Sequence, residues 1–211
     1  MALSPDLAAD RARALALTPV SRETLDRLAV YVELLGKWTR RINLVAPGSM
    51  EDVWRRHILD SAQLLALLPP KPDALVDLGS GAGLPGLVLA ILGVPQVHLV
   101  ESDTRKATFL QEAARQTGTA VTIHPRRIEA APAIQADAVT ARALARLAIL
   151  LEYAQRFLAP DGTCYFLKGA VLADELTEAQ ESWHMKVSEF PSLSDASGVI
   201  VKLESIVRER Q

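Results

Sequence analysis

The 211-residue chain is poor in cysteine, in aromatic residues and in long apolar runs. Its one cysteine, Cys164, excludes an internal disulfide, and a thiol inside an apolar stretch is typical of a reducing compartment. The N-terminus lacks a basic segment followed by an apolar one, and the longest apolar run, 87–92, is far too short to cross a bilayer. The four histidines are scattered without metal-ligand spacing. These absences predict a soluble, cytoplasmic protein that holds no metal and does not enter a membrane.

An excess of charge of either sign is also missing, since 23 basic side chains stand against 25 acidic ones for a net charge of −2. That balance alone disfavours a nucleic-acid partner. The distribution is uneven, however, because positions 36–57 are mainly basic and the segment after 170 is mainly acidic. A polarised molecule can present a basic face to RNA, although ordinary solvated helix faces explain the pattern equally well. The candidate RNA-binding residues are Lys37, Arg40, Arg41, Arg55 and Arg56.

The residue pattern divides the chain into an N-terminal part made of helices and a second part in which strands and helices alternate. Apolar residues up to position 68 recur at steps near 3.6, which predicts helices, and the prolines at 69, 70 and 72 end them. From Ala74 onward short apolar runs alternate with helical patterns, which is typical of a mainly parallel sheet with helices on both faces. We therefore predict an N-terminal helical extension over residues 1–72 and an α/β domain of the Rossmann-like type over 73–211.

The predicted strands are 74–77, 97–100, 120–124, 136–140 and 163–167, and the predicted helices between them are 84–92, 105–116 and 147–157. A turn at 160–162 precedes the fifth strand. The segments 185–189 and 199–203 are expected to form an antiparallel hairpin at the sheet edge. In the extension, Ser4 and Ser21 are predicted helix caps, and Ser49 with Asp52 resembles a capping box for a third helix.

The segment after the first predicted strand is the most informative in the chain. It reads Asp77-Leu78-Gly79-Ser80-Gly81-Ala82-Gly83-Leu84-Pro85-Gly86, and we call residues 79–86 the glycine loop. Glycine at this density lets the backbone turn sharply and approach a ligand closely. A strand, such a loop and a helix form the usual small-molecule site of a doubly wound sheet. We therefore predict a cofactor site here, to which Asp77 and Gly81 contribute.

Two cofactors compete for the glycine loop. The glycines from Gly81 to Gly86 satisfy the spacing G-x-G-x-x-G of dinucleotide sites, whereas the pattern acid-x-Gly-x-Gly from Asp77 is that of S-adenosylmethionine sites. Pro85 favours S-adenosylmethionine, because a pyrophosphate needs free amides at the start of the helix and proline removes one. Glu101 ends the next strand, about 20 residues further on, where a carboxylate accepts ribose hydroxyls.

The chain resembles the RsmG (GidB) family, whose members methylate N7 of a guanine in 16S ribosomal RNA. The resemblance covers nearly the whole chain and rests on several motifs in the family's order. Besides the glycine loop they are Asn43-Leu44 with 56–61, Arg127-Ile128-Glu129, Ala141-Arg142-Ala143 and Leu167-Lys168-Gly169. The pair Asp103-Thr104 and the short C-terminal region depart from the family pattern.

The resemblance implies the class I fold of S-adenosylmethionine-dependent methyltransferases, with this cofactor contacted by Gly79, Leu84, Ile128, Glu129 and Arg142. It implies 16S rRNA or the small ribosomal subunit as the substrate, and we expect a monomer. Arg142 follows the fourth strand, at the carboxyl edge where open α/β sheets carry their chemistry. There it is able to pair with a cofactor carboxylate or with an RNA phosphate.

His57 and Asp60 lie one helical turn apart, which suggests a general base. Guanine N7 carries a lone pair and no proton, however, so its methylation requires no base. Catalysis then consists of positioning, for which Arg142 and Lys168 are the candidates, and no side chain is an obligatory catalytic group. His57 and Asp60 are expected to act in structure or in RNA positioning.

Two alternative functions stay open. The first is a methyltransferase with a different acceptor, because the glycine loop identifies the cofactor and not the substrate. The second is a ribosome-assembly factor that binds the cofactor without catalysis.

Overall fold

Seven strands form a single sheet in the computed structural model, which describes residues 5–209. They are β1 (Leu75–Leu78), β2 (Val97–Val100), β3 (Thr122–His124), β4 (Ala136–Arg142), β5 (Leu158–Lys168), β6 (Trp183–Pro191) and β7 (Val199–Arg208). Their order is β3-β2-β1-β4-β5-β7-β6, with the first five strands parallel and β7 antiparallel to β5 and β6. This confirms the predicted parallel sheet and its antiparallel edge hairpin.

Helices cover both faces of this sheet. They are α1 (Pro5–Leu17), α2 (Arg22–Ile42), α3 (Asp60–Ala62), α4 (Gly86–Ile91), α5 (Thr104–Thr117), α6 (Leu147–Ala154) and α7 (Leu172–Gln180). A π-helical segment, Trp54–Leu59, runs directly into α3, and short 3₁₀ turns occur at Pro47–Met50, Gln63–Ala66 and Ile128–Ala130. The π-helical geometry changes which residues of this segment share a face, and such segments are frequent at functional sites.

Alternate residues of the strands supply two hydrophobic cores, as the period of two along a strand requires. Leu75 of β1 packs in a core with residues of α2, α4 and α5, whereas Val76 and Leu78 pack in a second core with residues of α6 and α7. Tyr31 and Trp54, from the N-terminal helical region, belong to the first core. The N-terminal helices therefore share a core with one face of the sheet.

The ends of several elements differ from the sequence prediction. The helix predicted over 84–92 begins only at Gly86, and the strand predicted from 120 begins at Thr122. The predicted turn at 160–162 lies inside β5, where the pairing with β4 skips from Leu158 to Thr163. Proline and glycine therefore mark an irregularity within a strand here rather than the start of one.

Capping was predicted correctly at one helix and wrongly at another. Ser21 caps α2 by accepting from the N–H of Thr24 at 3.1 Å, as expected. The Ser49 capping box is wrong, because Ser49 lies in a 3₁₀ turn and donates to Ala46 O. Asp10 of α1 accepts instead from the N–H groups of Trp54 and Arg55, at 2.9 and 3.2 Å. The predicted cap Ser4 lies outside the described residues.

Candidate active site

Asp77 supports the glycine loop from beneath, at the carboxyl end of β1. Its side chain is fully buried, with Oδ2 accepting from the Gly86 N–H at 3.2 Å and Oδ1 accepting from the Thr140 hydroxyl at 2.8 Å. Burial raises the pKa of the Asp77 carboxyl to about 6, although these hydrogen bonds lower it. Asp77 was predicted to contribute to the cofactor site, and in the structure both of its oxygens are bonded to protein groups. Its contribution is therefore to hold the glycine loop in place.

Two glycines show why the loop requires this residue type. A Cβ on Gly86 would lie 2.6 Å from the Asp77 Cβ and 2.6 Å from Leu99 Cδ2, so glycine lets α4 start against the sheet. Gly81 has φ +55°, which disfavours other residues, and a Cβ there would meet only Gly79 O, at 3.7 Å. The loop is thus packed tightly at its end and open at Gly81, where a ligand can approach the backbone.

Glu101 and Tyr31 hold the open part of the loop. Glu101 is 7% exposed, and its carboxylate accepts from the Gly81 N–H at 2.8 Å and from the Asp103 N–H at 2.7 Å. The Tyr31 hydroxyl donates to Ala82 O at 2.7 Å. Glu101 is predicted from the sequence and Tyr31 is not, because the position of Tyr31 in the apolar pattern of α2 gives no sign of a polar contact 51 residues away.

The remaining predicted cofactor residues follow β1, β3 and β4 at the same edge of the sheet. Leu84, within the glycine loop, is buried against the first core. Ile128 is buried in the turn after β3, and the next residue, Glu129, is exposed. Arg142 is the last residue of β4. Because parallel strands place their carboxyl ends together, the topology brings these residues and Gly79 to one edge.

Arg142 is the centre of a polar cluster that joins β4 to the N-terminal helices. Its Nη1 donates to Asp60 Oδ2 at 3.0 Å, to His57 Nδ1 at 3.2 Å and to Arg56 O at 3.2 Å. A guanidinium can only donate, so His57 Nδ1 accepts and its Nε2 carries the proton. His57 Nε2 donates this proton to Ser49 Oγ, with 2.7 Å between the nitrogen and the oxygen, and the Ser49 hydroxyl donates in turn to Ala46 O.

This environment keeps His57 neutral. Burial, followed by the positive charges of Arg142 and Arg56, lowers the pKa of His57 to about 3. His57 is 8% exposed, and both of its ring nitrogens have partners. A histidine in this state orients its neighbours and is not poised to accept a proton near neutral pH.

Asp60 connects the same cluster to the loop between β6 and β7. Its Oδ1 accepts from the Ser194 hydroxyl at 2.6 Å and from Gln63 Nε2 at 3.1 Å. Gln63 also accepts from the Leu193 N–H at 2.7 Å. The segment 192–198 is thereby fixed against the helical region.

A cavity of about 560 Å³ opens between these parts of the chain. Its walls include His57, Asp60, Arg142, Lys168 and Ser194, whereas the residues of the glycine loop do not line it. The volume lies in the usual range for small-molecule sites. Arg142 lines the cavity, and the residue before it, Ala141, pairs with Leu78 immediately before the glycine loop.

Lys168, the second predicted positioning residue, is tied into the wall of this cavity. Its Nζ lies 2.6 Å from Glu175 Oε2 and donates to Ala145 O at 3.0 Å, with both charged side chains at most 10% exposed. Glu175 also accepts from the Leu147 N–H, at the start of α6. The charge of Lys168 is thus compensated by Glu175, and the hydrogen bonds of the two side chains connect β5, α6 and α7.

The five predicted RNA-binding residues do not form one uniform patch. Arg40 and Arg41 are exposed in the last turn of α2, and neither has an ion pair within residues 5–209. Lys37 is exposed but pairs with Glu33 at 2.6 Å. Arg55 pairs with Asp52 and donates to Ser194 O. Arg56 is exposed at the cavity.

Neither a membrane-spanning helix nor a cluster of metal ligands is found in the described part of the chain. None of its helices is both long enough and apolar enough to cross a bilayer. No group of three or more histidine, cysteine, aspartate and glutamate residues between 5 and 209 is arranged to hold a metal ion.

The fold is that of class I S-adenosylmethionine-dependent methyltransferases, with its strand order, Asp77 in β1, the glycine loop and Glu101 directly after β2. Solved structures share this fold. The ribosomal protein L11 methylase of Lactobacillus delbrueckii subsp. bulgaricus aligns with a TM-score of 0.56 at 18% identity, over 72% of this chain and 78% of that one. The M. jannaschii TYW2 in complex with AdoMet aligns with a TM-score of 0.54 at 14% identity, over 72% and 76%.

The chain belongs to the rRNA small subunit methyltransferase G family, whose model matches residues 24–200. The ribosomal RNA small subunit methyltransferase G of Rhodospirillum centenum is 63% identical over 187 residues, which cover 89% of this chain and 87% of that protein. Its counterpart from Rhodospirillum rubrum is 58% identical over 190 residues, 90% and 94% of the two chains. The family resemblance deduced from the motifs is therefore confirmed.

Proposed function

We propose that this chain transfers the methyl group of S-adenosylmethionine to N7 of a guanine in the 16S rRNA of the small ribosomal subunit. The observation that carries the proposal is that Arg142 lines the cavity and directly follows Ala141, which pairs with Leu78 immediately before the glycine loop. A cofactor at the loop and a base in the cavity would then meet beside Arg142. Membership in the rRNA small subunit methyltransferase G family supports an rRNA substrate.

The residues of the loop fit S-adenosylmethionine better than a dinucleotide. The open backbone at Gly81 forms a cradle that a side chain would fill. The first amide of α4, on Gly86, is taken by the Asp77 carboxylate, which would also repel a pyrophosphate. In the proposed site Gly79, Gly81, Leu84, Ile128 and Glu129 contact the cofactor, Asp77 acts through the loop, and Glu101 and Arg142 supply polar contacts.

Glu101 retains capacity for the ribose although it already holds the loop. A carboxylate has about four acceptor positions, and the Gly81 and Asp103 amides use two of them. The proposed roles of Glu101 are therefore linked, because the same carboxylate fixes the loop and accepts the sugar hydroxyls.

S-adenosylmethionine, when bound, supplies an electrophilic methyl group on a positively charged sulfur. Guanine N7 is already a nucleophile, so the side chains around the cavity have to hold and align the base. Methylation leaves a positive charge on the purine, which an uncompensated cation would oppose. Asp60 balances Arg142 and Glu175 balances Lys168, so these two cations line the cavity without that penalty. Because N7 is already a nucleophile, the proposed reaction needs no general base.

RNA approaches this cavity, in our proposal, across the free cations of α2 and the π-helical segment. Arg40, Arg41 and Arg56 are exposed, and Lys37 is available at the cost of its pair with Glu33. Arg55 acts differently, since its bonds to Asp52 and Ser194 shape the cavity wall. We propose that the chain acts on the ribosomal substrate as a monomer, in the cytoplasm.

The direct test is methyl transfer from labelled S-adenosylmethionine to small subunits, and to naked 16S rRNA, that lack the modification. Reduction and aniline cleavage of the product RNA then detect N7-methylguanine and locate it. We expect one labelled guanine with the natural chain and little label with Arg142→Ala. Label on another atom or molecule would indicate a different acceptor, and cofactor binding without transfer would indicate an assembly factor.

A further inference from the structure

Tyr31 links the longest N-terminal helix to the cofactor loop. The residue lies within α2, is fully buried, and donates from its hydroxyl to Ala82 O at 2.7 Å. Burial raises the pKa of this hydroxyl, which therefore keeps its proton and remains a donor. The preceding residue, Gly81, is held through its N–H by Glu101. A side chain of α2 and one that follows β2 thus fix consecutive residues of the glycine loop.

Packing makes Tyr31 a rigid part of α2. Its ring lies 6.3 Å from that of Phe109 in α5, and Trp38, two turns further along α2, meets Phe109 edge-on at 5.7 Å. Two aromatic residues of α2 are therefore in contact with one ring of α5. A displacement of α2 would move the Tyr31 hydroxyl relative to Ala82.

The same helix ends in unpaired cations. Arg40 and Arg41 lie in its last turn, exposed and free of ion pairs within residues 5–209. At 1.5 Å per residue, Arg40 is roughly 14 Å along the helix from Tyr31. Phosphates that contact these arginines therefore act on the helix that also carries the hydrogen bond to the loop.

We propose that Tyr31 is a positioning residue for the glycine loop, and that α2 couples RNA engagement at Arg40 and Arg41 to cofactor binding. The coupling rests on the proposed RNA substrate. RNA held at the end of α2 restricts the helix to the position in which Tyr31 meets Ala82, so the loop is ordered before the cofactor arrives. Coupling of this kind is reciprocal, so the cofactor strengthens RNA binding by the same factor.

The test compares Tyr31→Phe with Tyr165→Phe. The control removes the hydroxyl of another buried tyrosine, which lies in β5 and makes no hydrogen bond to the glycine loop within residues 5–209. Calorimetry measures the affinity for S-adenosylhomocysteine with and without saturating unmodified small subunits. Steady-state kinetics measure KM for S-adenosylmethionine and kcat.

We expect Tyr31→Phe to bind S-adenosylhomocysteine about 3- to 10-fold more weakly, the range for one hydrogen bond. Its KM should rise by the same factor while kcat at saturating cofactor stays within about twofold, because the lost contact positions the loop and not the reacting atoms. The strengthening of cofactor binding by RNA should shrink in Tyr31→Phe and persist in Tyr165→Phe.

A Tyr31→Phe protein that matches Tyr165→Phe in these measurements would overturn the proposal while leaving the methyltransferase assignment intact. Weaker cofactor binding with an undiminished RNA effect would overturn the coupling through α2. Failure of the natural chain to bind S-adenosylhomocysteine would instead refute the proposed function. If Tyr31→Phe does not fold, the test is hydrogen exchange of the Ala82 and Gly83 amides in the natural chain, with and without RNA. The coupling predicts that RNA slows this exchange, and an unchanged exchange rate would contradict it.

Discussion

Arg142 donates from Nη1 to His57 Nδ1 across 3.2 Å, and this contact determines the protonation of the histidine. Since the guanidinium occupies the lone pair of Nδ1, the Nε2 nitrogen keeps its proton and is paired with Ser49. The pKa of His57 falls to about 3, first through burial and then through the charge of Arg142. The residue that the sequence suggests as a base thus has its Nδ1 lone pair occupied by Arg142 and a pKa too low to hold a second proton near pH 7.

The rate of methyl transfer should therefore be nearly independent of pH from about 6 to 8.5, with no limb near the usual histidine pKa of about 6.5. Single-turnover measurements with RNA already bound isolate this step from binding. His57→Gln should lower the rate by disturbing the Arg142 cluster, but its profile should remain as flat as that of the natural chain. An acid limb that disappears in His57→Gln would mean that the acceptor atom loses a proton and is not N7.

Arg142→Ala should reduce kcat by about 100-fold, a loss typical of a misplaced reacting group. His57→Gln should reduce kcat by less. The reason is that Arg142 contacts three groups of the N-terminal region and lines the cavity, one residue after the pairing of Ala141 with Leu78. Arg142→Lys tests geometry against charge, because lysine keeps the charge but not the planar fork. Activity of Arg142→Lys close to that of the natural chain would show that only the charge matters.

The sequence predicted the sheet and the cofactor loop because both depend on local patterns. Each strand is a short apolar run, Asp77 lies next to the glycines, and Glu101 directly follows β2, so short segments of the chain carry these signals and the fold places them as expected. The Arg142 cluster depends on contacts between residues 82 to 86 positions apart, for which one sequence holds no signal. The capping of the π-helical segment by Asp10 and the Tyr31 contact were unpredictable for the same reason.

The stability of the fold should fall with acid in a way that His57 explains in part. A folded pKa of about 3, below the unfolded value near 6.5, means that neutral His57 contributes stability above pH 6.5 that is lost as the pH falls towards 3. Between these values the loss approaches about 1.4 kcal/mol per pH unit. Urea unfolding at pH 7, 6 and 5 should show a shallower decline for His57→Gln. Parallel declines in the two proteins would contradict the assigned pKa.

Cofactor affinity should depend on Gly81 and Glu101. Gly81→Val should abolish measurable binding, since valine disfavours φ +55° and fills the open side of the loop. Glu101→Ala should weaken binding by roughly 10- to 150-fold, the cost of a charged hydrogen bond. Calorimetry with S-adenosylhomocysteine measures both effects, and Glu112→Ala, which removes a half-buried carboxylate on α5 paired with Arg115, serves as the control. Affinity in folded Gly81→Val and Glu101→Ala equal to that of the control would place the cofactor elsewhere.

The exposed arginines of the N-terminal region should differ in function, since some should contact RNA and others should stabilise the cavity wall. The double variant Arg40→Ala, Arg41→Ala should bind the small subunit more weakly, because both side chains are exposed and unpaired within residues 5–209. Its affinity for the cofactor, measured without RNA, should not change. Each lost phosphate contact should reduce the slope of log K against log salt by about 0.7 to 0.9.

Arg55→Ala should act in the opposite manner. Its guanidinium is bonded to Asp52 and to Ser194 O, so its removal should loosen the segment 192–198 and lower kcat without changing the salt slope. Arg115→Ala, which removes an exposed arginine of α5, controls for the general change in charge. If the double variant and Arg115→Ala show the same slope, the RNA does not contact the end of α2. The exposed Arg126 and Arg127 beyond β3 would then be the next arginines to test.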